Sequence, residues 1–442
     1  MNKNISEIAF IDKAKGALLG LALGDALGTT LEFKPKDSFE PIHDMIGGGP
    51  FGLRAGQWTD DTSMALCLAE SLLCQGKMDT TDQMQRYVRW WKQGENSVTG
   101  HCFDIGITVS GALNQFINTG NPLCGSSDEF SASNGSLMRL APVCIFSHPY
   151  KNTRLTKALS NANLSSITTH AEQRCVEACQ VMAWLMYQLF LDSNISKAAL
   201  FKQLKHAFDN LHPEIQAIVN GSYLEKDRSD VRGTGFVVHS LEAALWCFAH
   251  SDNFEQGALM AANLGDDADT TAAIYGQLAG TFYGIEQLPQ KWLSKLYWRE
   301  EIEMMAQLLA TTPSLRQVSA FIADIRAAPV SNKLSVLYQA AYQHKILLSD
   351  YAWTDNTHNS TIGIPLNDSS IPSELQKKKR VLIATMGLSD CCRAITSMTP
   401  GGRFCGGLWD NLCVDGTIQL WLNRLCDLTG EVHISLTEDD IC

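Results

Sequence analysis

The sequence predicts an all-α protein with a small α/β segment near its carboxyl end. Between residue 12 and about residue 325, apolar residues recur at intervals of three and four, and the alternation typical of strands is scarce. This period is clearest in five segments, at residues 63–73, 82–91, 172–191, 241–249 and 271–283. Residues 178–191 are apolar on most faces, which is typical of a helix at the centre of a large bundle.

Composition narrows the class of protein. The 442 residues are 45% hydrophobic and 19% charged, which favours a sizeable core and argues against global disorder. A formal net charge of −12 argues against a protein that binds duplex nucleic acid, although it is compatible with a nucleotide ligand. The 14 cysteines include no CxxC pair, so we expect reduced thiols and a cytoplasmic protein.

Neither a signal peptide nor a membrane span is predicted near the amino terminus. The first residues contain Glu7 and Asp12 and lack a clean apolar run. The apolar stretch at residues 16–31 is interrupted by Asp25 and is too short and glycine-rich to cross a bilayer.

The chain is predicted to have a helical domain at residues 12–345, a linker at 346–376 and a small domain at 377–442. Residues 349–373 are rich in Ser, Thr, Asn, Asp and Pro and have no helical period. The last domain opens with a basic run at 377–380, which predicts a solvated surface or a contact with an acidic partner. A strand at 381–386, a helix at 417–428 and a strand at 432–436 are expected to follow, and a partner protein is one role for this domain.

Two acidic clusters carry most of the chemical information. The first is Trp-Thr-Asp-Asp-Thr at residues 58–62, and the second is Gly-Asp-Asp-Ala-Asp-Thr at 265–270. Each one alone is explained by a helix N-cap with an acidic first turn. If the fold brings them together, the crowded carboxylates need a cation between them, and oxygen-only ligands suit Mg²⁺ or Mn²⁺.

Four further features are candidates for function. Asp25 and Glu32 are acids in or beside an apolar segment whose glycines, at 20–28, predict tight packing of two helices. The polar loop at 133–139 can wrap an anion with its backbone amides, or is an ordinary turn. His170 precedes a helical segment and is expected to contact a ligand or to cap the helix.

Six short motifs occur in a fixed order that resembles the ADP-ribosylglycohydrolase family over about residues 12–310. They are Gly-Asp-Ala-Leu-Gly at 24–28, Trp-Thr-Asp-Asp-Thr at 58–62, Asp-Ile-Gly-x-Thr at 104–108, Asn-Gly-Ser-Leu-Met-Arg at 134–139, Thr-His at 169–170, and Gly-Asp-Asp-Ala-Asp-Thr at 265–270. Any one of these motifs is weak evidence for the family, but six of them in this order are specific to it. Residues beyond about 345 match nothing in the family core.

The resemblance implies a compact orthogonal helical bundle with two Mg²⁺ or Mn²⁺ ions in a central cleft. The implied metal ligands are Thr59, Asp60, Asp61, Asp267, Asp269 and Thr270, with Asp269 between the two ions. The implied catalytic acids are Asp60, Asp61, Asp104, Asp269 and Glu32. The residues implied to contact the ADP-ribose are Asn134, Gly135, Ser136, Met138, His170 and Phe236.

Two positions depart from the family pattern. Phe236 stands where many relatives have Tyr, and we expect it to stack on adenine or to wall the pocket. Asp266 stands where Gly is frequent, so we expect it to face away from the metals or to support their ligands.

The implied function is removal of ADP-ribose from a side chain of a modified protein, with ADP-ribose as product and arginine as the leading linkage. Serine linkages, modified nucleic acid and free ADP-ribose derivatives remain open. A catalytically inactive ADP-ribose-binding protein and a Mg²⁺-dependent phosphohydrolase, which would release phosphate, are the alternatives from other classes.

Overall fold

Helices dominate the computed structural model, which describes residues 6–148, 153–313, 315–327, 379, 382–384, 386–388, 390–392 and 417–434. Within these residues there is no β-strand, and extended pairing is limited to isolated bridges such as Ser133 with Phe236. The prediction of an all-α fold for the first part of the chain is confirmed.

The helices of the first 327 residues are numbered here in chain order. They are α1 (Glu7–Gly28), α2 (Asp60–Gln75), α3 (Thr80–Gln93), α4 (Ile107–Thr119), α5 (Ala141–Phe146), α6 (Leu155–Ile167), α7 (Gln173–Leu191), α8 (Lys197–Leu204), α9 (Pro213–Val219), α10 (Val237–Ala249), α11 (Phe254–Ala262), α12 (Ala268–Tyr283), α13 (Gln290–Leu293), α14 (Arg299–Thr311) and α15 (Leu315–Ala327). One 3₁₀ turn, Glu129–Ser131, lies in the loop that precedes α5. Two more, Ser222–Leu224 and Arg228–Asp230, lie in the loop that precedes α10.

Side chains outside the helices mark several of the helix starts. Ser6 Oγ accepts from the N–H of Ala9 at 3.2 Å at the start of α1. Asp79 accepts from the N–H groups of Thr81 and Asp82 at the start of α3. Such caps satisfy donors that have no partner within the helix, which is why Ser and Asp stand at these positions.

Helices α1 and α12 pack backbone against backbone along a row of small residues. A Cβ added to Gly20 would lie 2.3 Å from the carbonyl oxygen of Gly276, and one added to Gly24 would lie 2.0 Å from that of Ala272. At the end of the row, a Cβ on Gly28 would lie 2.5 Å from the Cα of Asp269. Any side chain larger than hydrogen would force the helices apart, so the prediction of tight packing is confirmed.

Helix α12 lies at the centre of the first bundle. Residues from Ala268 to Gly280 and beyond are buried along nearly its whole length. Helices α7, α10 and α11 also pack against α12, and α6 packs on α7. Helix α7 buries residues on most of its faces, as expected from its sequence.

Contacts divide the chain into two compact units. The first contains residues 1–72 and 78–310, and the second contains 73–77 and 311–442. Within the second unit, α15 packs against the helix Thr417–Thr429, whose Trp421 is buried. The helix predicted at 417–428 is therefore confirmed, whereas the linker predicted at 346–376 lies outside the described residues.

The strands expected in the carboxyl-terminal segment are not found in the residues that the structure describes there. Residues 382–384 are helical, and residues 431–434 have no regular structure. Short apolar runs fit a buried helix as well as a strand, which explains the wrong prediction at 381–386. Lys379, part of the basic run, is buried and donates to Thr417 Oγ1 at 2.7 Å, so it does not belong to a solvated surface.

No helix within the described ranges is both long enough and apolar enough to cross a lipid bilayer.

The glycine row predicts a large loss of stability in Gly24→Ala. The new Cβ would meet the backbone of Ala272, which cannot rotate away, so the free energy of unfolding should fall by about 1–3 kcal/mol or more. The control is Gly111→Ala on α4, where no atom lies within 4 Å and alanine should add about 0.5–1 kcal/mol. Urea unfolding measures both, and equal stability of Gly24→Ala and the parent protein would contradict the close contact.

Candidate active site

Asp25 of α1 organises the first turn of α2. Its Oδ1 accepts from the N–H and the hydroxyl of Thr59, at 2.8 and 2.9 Å. Its Oδ2 accepts from the N–H and the hydroxyl of Thr62, at 3.0 and 2.6 Å. Complete burial raises the pKa of Asp25 to about 6, although these hydrogen bonds oppose the rise. A carboxylate of one helix thus caps another, which fixes the direction in which Asp60 and Asp61 leave the backbone.

Carboxylates from distant parts of the chain converge at this point. Asp25, Asp61 and Asp269 each contribute one oxygen to a group whose members lie within 4.8 Å of one another. Glu32, Asp104 and Asp269 form a second such group, also within 4.8 Å. Asp269, in the first turn of α12, belongs to both groups.

Threonine hydroxyls add further oxygens to the cluster. Thr59 Oγ1 lies 3.1 Å from Asp61 Oδ2 and 3.3 Å from Asp269 Oδ2, in addition to its contact with Asp25. Thr270 Oγ1 lies 3.3 Å from the same Asp61 oxygen. Because a hydroxyl carries a single proton, the cluster gathers more acceptor oxygens than protons that could link them.

Burial raises the pKa of every acid in the cluster, and neighbouring carboxylates add to the rise at most of them. Desolvation comes first, followed by neighbouring carboxylates, and together they place the pKa values of Asp60, Asp61 and Asp269 well above the ordinary value. Burial and the charge of Asp104 raise the pKa of Glu32 to about 9. Burial raises the pKa of Asp104 to about 7.

The donor set fits a hard cation. Asp61 Oδ1 and Glu32 Oε2 are buried without a hydrogen-bond partner, and among the described residues no Lys or Arg forms an ion pair with these acids. An unpaired buried carboxylate oxygen is costly unless a cation or a proton reaches it. Oxygen-only ligands are those preferred by Mg²⁺, Mn²⁺ and Ca²⁺, so the acidic residues could hold metal ions.

Asn134 connects the acidic cluster to the polar loop at residues 133–139. Its Nδ2 donates to Asp267 Oδ2 at 2.7 Å, while its backbone N–H donates to the carbonyl of Gly235 at 3.1 Å. The N–H of Asp267 donates in turn to the carbonyl of Gly233 at 2.8 Å. Asp267 is half-buried, and its position is therefore set by two loops as well as by α12.

The same loop carries Gly135, Ser136 and Met138. Gly135 lies directly on His170, because an added Cβ would be 2.9 Å from the Cε1 atom of that ring. Ser136 is fully buried, and its hydroxyl accepts from Ser166 Oγ at 2.9 Å. Met138 is also buried. The side chains of Ser136, Met138 and His170 therefore shape the loop from beneath.

His170 is a neutral link in a buried hydrogen-bond chain. Burial lowers its pKa to about 3. Arg139 donates to Thr169 Oγ1 at 2.6 Å, so the Thr169 hydroxyl donates to His170 Nδ1 at 2.8 Å. His170 Nε2 therefore carries the proton and donates to Ser133 Oγ at 2.8 Å, and that hydroxyl donates to Thr108 Oγ1 at 3.2 Å.

Beside this loop is a cavity of about 520 Å³. Its lining consists of Glu129, Phe130, Ala132, Ser133, Arg174, Gly235 and Phe236. The Arg174 guanidinium lies 5.2 Å from the centre of the Phe236 ring and is held by Glu172 and Glu214 at 2.9 and 3.0 Å. Phe130 is 92% exposed. Aromatic faces beside a fixed guanidinium suit a flat aromatic ligand.

The structure brings the predicted acids together, and it adds residues that sequence reasoning missed. Asp60 is buried, and burial followed by the charges of Asp104 and Asp61 raises its pKa, although Asp60 belongs to neither three-carboxylate group. Asp25 is an unusual acid within an apolar segment of the sequence, but its four hydrogen bonds depend on the start of another helix and have no signal in the sequence. Phe130, an aromatic residue in a polar loop, could have indicated a binding site from the sequence. Nothing in the sequence around Arg174 indicates that it lines the cavity.

Asp266 joins the two loops at the edge of the cluster through its backbone. Its N–H donates to the carbonyl of Lys34 at 2.8 Å, and its own carbonyl accepts from the N–H of Phe33 at 2.7 Å. Its φ of 55° lies in the left-handed region, which Asp adopts more readily than most residues and Gly more readily still.

Comparison with known proteins identifies the family of the chain. The model of the ADP-ribosylglycohydrolase family matches residues 6–318, and the model of a family of unknown function (DUF6508) matches residues 303–431. An ADP-ribosylarginine hydrolase Tri1 from Pseudomonas putida is 45% identical over 71% of this chain and 82% of its own length. The ADP-ribosyl-[dinitrogen reductase] glycohydrolase of Rhodospirillum rubrum is 31% identical over 67% of this chain and 94% of its own.

A solved structure gives the same assignment. It is titled an ADP-ribosylglycohydrolase-related protein complex, and it aligns with a TM-score of 0.60 and 42% identity. The alignment covers 69% of this chain and 98% of the solved chain. The protein described here therefore belongs to the ADP-ribosylglycohydrolase family.

Proposed function

We propose that this protein is a hydrolase that removes ADP-ribose from arginine side chains of a modified protein. The observation that carries the proposal is the convergence of carboxylates from α1, α2, α12 and the loop before α4 in one buried cluster. The names of relatives at 43–45% identity, which are ADP-ribosylarginine hydrolases, support the same substrate. An ADP-ribosylated protein is then the partner, and ADP-ribose is the product.

We further propose that two Mg²⁺ or Mn²⁺ ions bind here. Thr59, Asp60, Asp61, Asp267, Asp269 and Thr270 would hold them, with Asp269 between the two positions. Membership of Asp269 in both three-carboxylate groups supports this role. When bound, such ions lower the pKa of water and orient vicinal hydroxyls.

The acids of the chain have separate roles in the proposed reaction. Breaking a ribosyl bond builds positive charge on the sugar, which the carboxylates of Asp60, Asp61 and Asp269 stabilise. Asp104, whose pKa is raised to about 7, can hold or release a proton near neutral pH. Burial and the charge of Asp104 raise the pKa of Glu32 to about 9 in the metal-free protein, and Glu32 can donate a hydrogen bond to the substrate while it holds its proton.

The cavity lined by Phe130, Arg174 and Phe236 is proposed to take the adenine, with Phe236 forming its wall. Asn134 donates to Asp267 and to Gly235, which lines this cavity, so we propose that the diphosphate and ribose run along the backbone of Asn134 and Gly135. Ser136, Met138 and His170 hold the loop in that shape from below.

The remaining assignments follow from the sequence and are proposals as well. We assign hydrolysis to residues 12–345, a linker to 346–376 and a partner-binding role to 377–442. The match of the family model to residues 6–318 supports the first assignment. Free thiols, which include Cys67, Cys175 and Cys247, support a reducing compartment and hence the cytoplasm.

Asp269→Asn is expected to abolish release of ADP-ribose from an ADP-ribosylated arginine substrate. It removes the carboxylate that both groups share, and in the metal-free protein it also removes a buried like charge, so the fold should persist. The control, Asp252→Asn, changes an exposed aspartate and should leave activity unchanged.

The assay is ADP-ribose release, measured with Mg²⁺ or Mn²⁺ and again in EDTA. Full activity in EDTA would contradict the metal assignment. Phosphate release instead of ADP-ribose release would favour a phosphohydrolase. Tight binding of ADP-ribose without turnover of any linkage would favour an inactive binding protein.

Glu32 makes the stability of the metal-free protein depend on pH. Its pKa is raised from 4.5 to about 9 in the folded state, so the folded protein keeps a proton that the unfolded chain has lost. Stability should therefore fall as the pH rises between these two values. Glu32→Gln removes this titration, so its free energy of unfolding in EDTA should fall less steeply than that of the parent protein.

Urea unfolding in EDTA at about pH 5, 7 and 8.5 measures this dependence. Glu300→Gln, a change at an exposed glutamate, is the matched control. Parallel slopes for Glu32→Gln and the parent protein would show that Glu32 does not retain its proton.

A further inference from the structure

Three phenylalanine rings form a connected row beside the acidic cluster, and we name it the aromatic rim. The rings of Phe33 and Phe51 are 6.3 Å apart and nearly perpendicular, at 75°. The rings of Phe51 and Phe103 are 5.1 Å apart, at 57°. Phe33 is 65% exposed, and the other two are partly exposed. The rim is thus an apolar surface that lies outside the hydrophobic core of the protein.

The chain places both ends of the rim next to an acid of the site. Phe33 directly follows Glu32, and Phe103 directly precedes Asp104. The carboxylates of Glu32 and Asp104 lie within 4.8 Å of each other, together with that of Asp269. The backbones at the two ends of the rim are therefore those that carry these two acids.

Backbone strain indicates that the position of Phe33 is imposed. Its φ of 59° is in the left-handed region, which a bulky non-glycine residue rarely adopts. The Phe33 N–H donates to the carbonyl of Asp266 at 2.7 Å, and the Asp266 N–H donates to Lys34 at 2.8 Å. These two bonds tie the rim to the loop that leads into Asp267. Burial of the ring does not offset the energy of this strain, because most of the ring is exposed to solvent.

The chemistry beside the rim selects a cation. Aromatic faces attract a planar guanidinium, and neighbouring carboxylates add to the attraction. Asp104, at one end of the rim, is partly exposed, so its carboxylate can accept from such a group, whereas Glu32 is only 3% exposed. Phosphates would be repelled by the acids. A flat neutral base such as adenine is assigned above to the cavity beside Arg174 and Phe236.

We infer that the aromatic rim binds the guanidinium of the arginine to which ADP-ribose is attached. This inference rests on the proposed hydrolysis of arginine linkages and names the residues that recognise the leaving side chain. Phe33, Phe51 and Phe103 are then specificity residues, distinct from those that hold the ADP-ribose.

The test compares a substrate that has the guanidinium with a ligand that lacks it. ADP-ribosylated agmatine is the substrate, and ADP-ribose is the competitive inhibitor. Phe33→Ala and Phe51→Ala should each lower kcat/KM for ADP-ribosylagmatine about two- to fivefold while leaving the inhibition constant of ADP-ribose unchanged. Phe33→Leu keeps an apolar side chain but removes the ring, and should show the same loss.

Two controls separate the rim from other effects. Phe130→Ala, in the cavity beside Arg174, should weaken ADP-ribose inhibition as well. Ile8→Ala changes an exposed apolar residue at the start of α1, 82% exposed, and should change neither constant.

The outcomes distinguish the inference from the proposed function. If the parent protein does not release ADP-ribose from ADP-ribosylagmatine, the proposed function fails and the inference fails with it. If the parent protein is active and the rim variants match it, or if kcat/KM and ADP-ribose inhibition change in parallel, the inference alone is overturned.

Discussion

The close contact between α1 and α12 is the constraint on which the site depends. Helices that carry ordinary side chains pack 8–10 Å apart, whereas carbonyl oxygens here occupy the space that a Cβ would fill. The contact continues to Gly28 and Asp269, at the end where α1 runs toward Glu32 and α12 begins. Asp25 on the same turn of α1 then caps α2, so a single contact positions acids from three helices.

Positioning the acids costs stability. The carboxylates are buried, share few protons and have no cationic side chain among the described residues, so every one of them has a raised pKa. The packed glycine row and the hydrogen bonds of Asp25 resist the repulsion. A divalent cation would remove it, which means that the free energy stored in the metal-free cluster becomes binding free energy for the ion. The crowding of carboxylates therefore explains both the loss of stability in the metal-free protein and the affinity of the cluster for a cation.

Much of the helical part was predictable because helical periodicity is a local signal, and the acidic cluster was predictable from the order of the motifs. Long segments with a clear period became α2, α3, α7, α10 and α12, and the glycines at 20–28 predicted tight packing. Motif order predicted that Asp61 and Asp269 would meet, although their separation of about two hundred residues has no local signal. The strand predicted at 381–386 was wrong because a six-residue apolar run does not distinguish strand from helix.

Contacts between loops were the least predictable part. The pairing of Phe33 with Asp266, the row of rings through Phe51, and the position of Arg174 over Phe236 depend on loops that meet only in the folded chain. Asp25 was visible as an anomaly, yet its role depends on the start of a different helix.

Anomalous diffraction from crystals grown with Mn²⁺ tests the central claim most directly. The account predicts manganese peaks within coordination distance of the oxygens of Asp61 and Asp269, with Asp269 contacting both ions if two are present. Crystals in which these carboxylates bind no manganese, or in which the acids separate and the ion binds elsewhere, would contradict it.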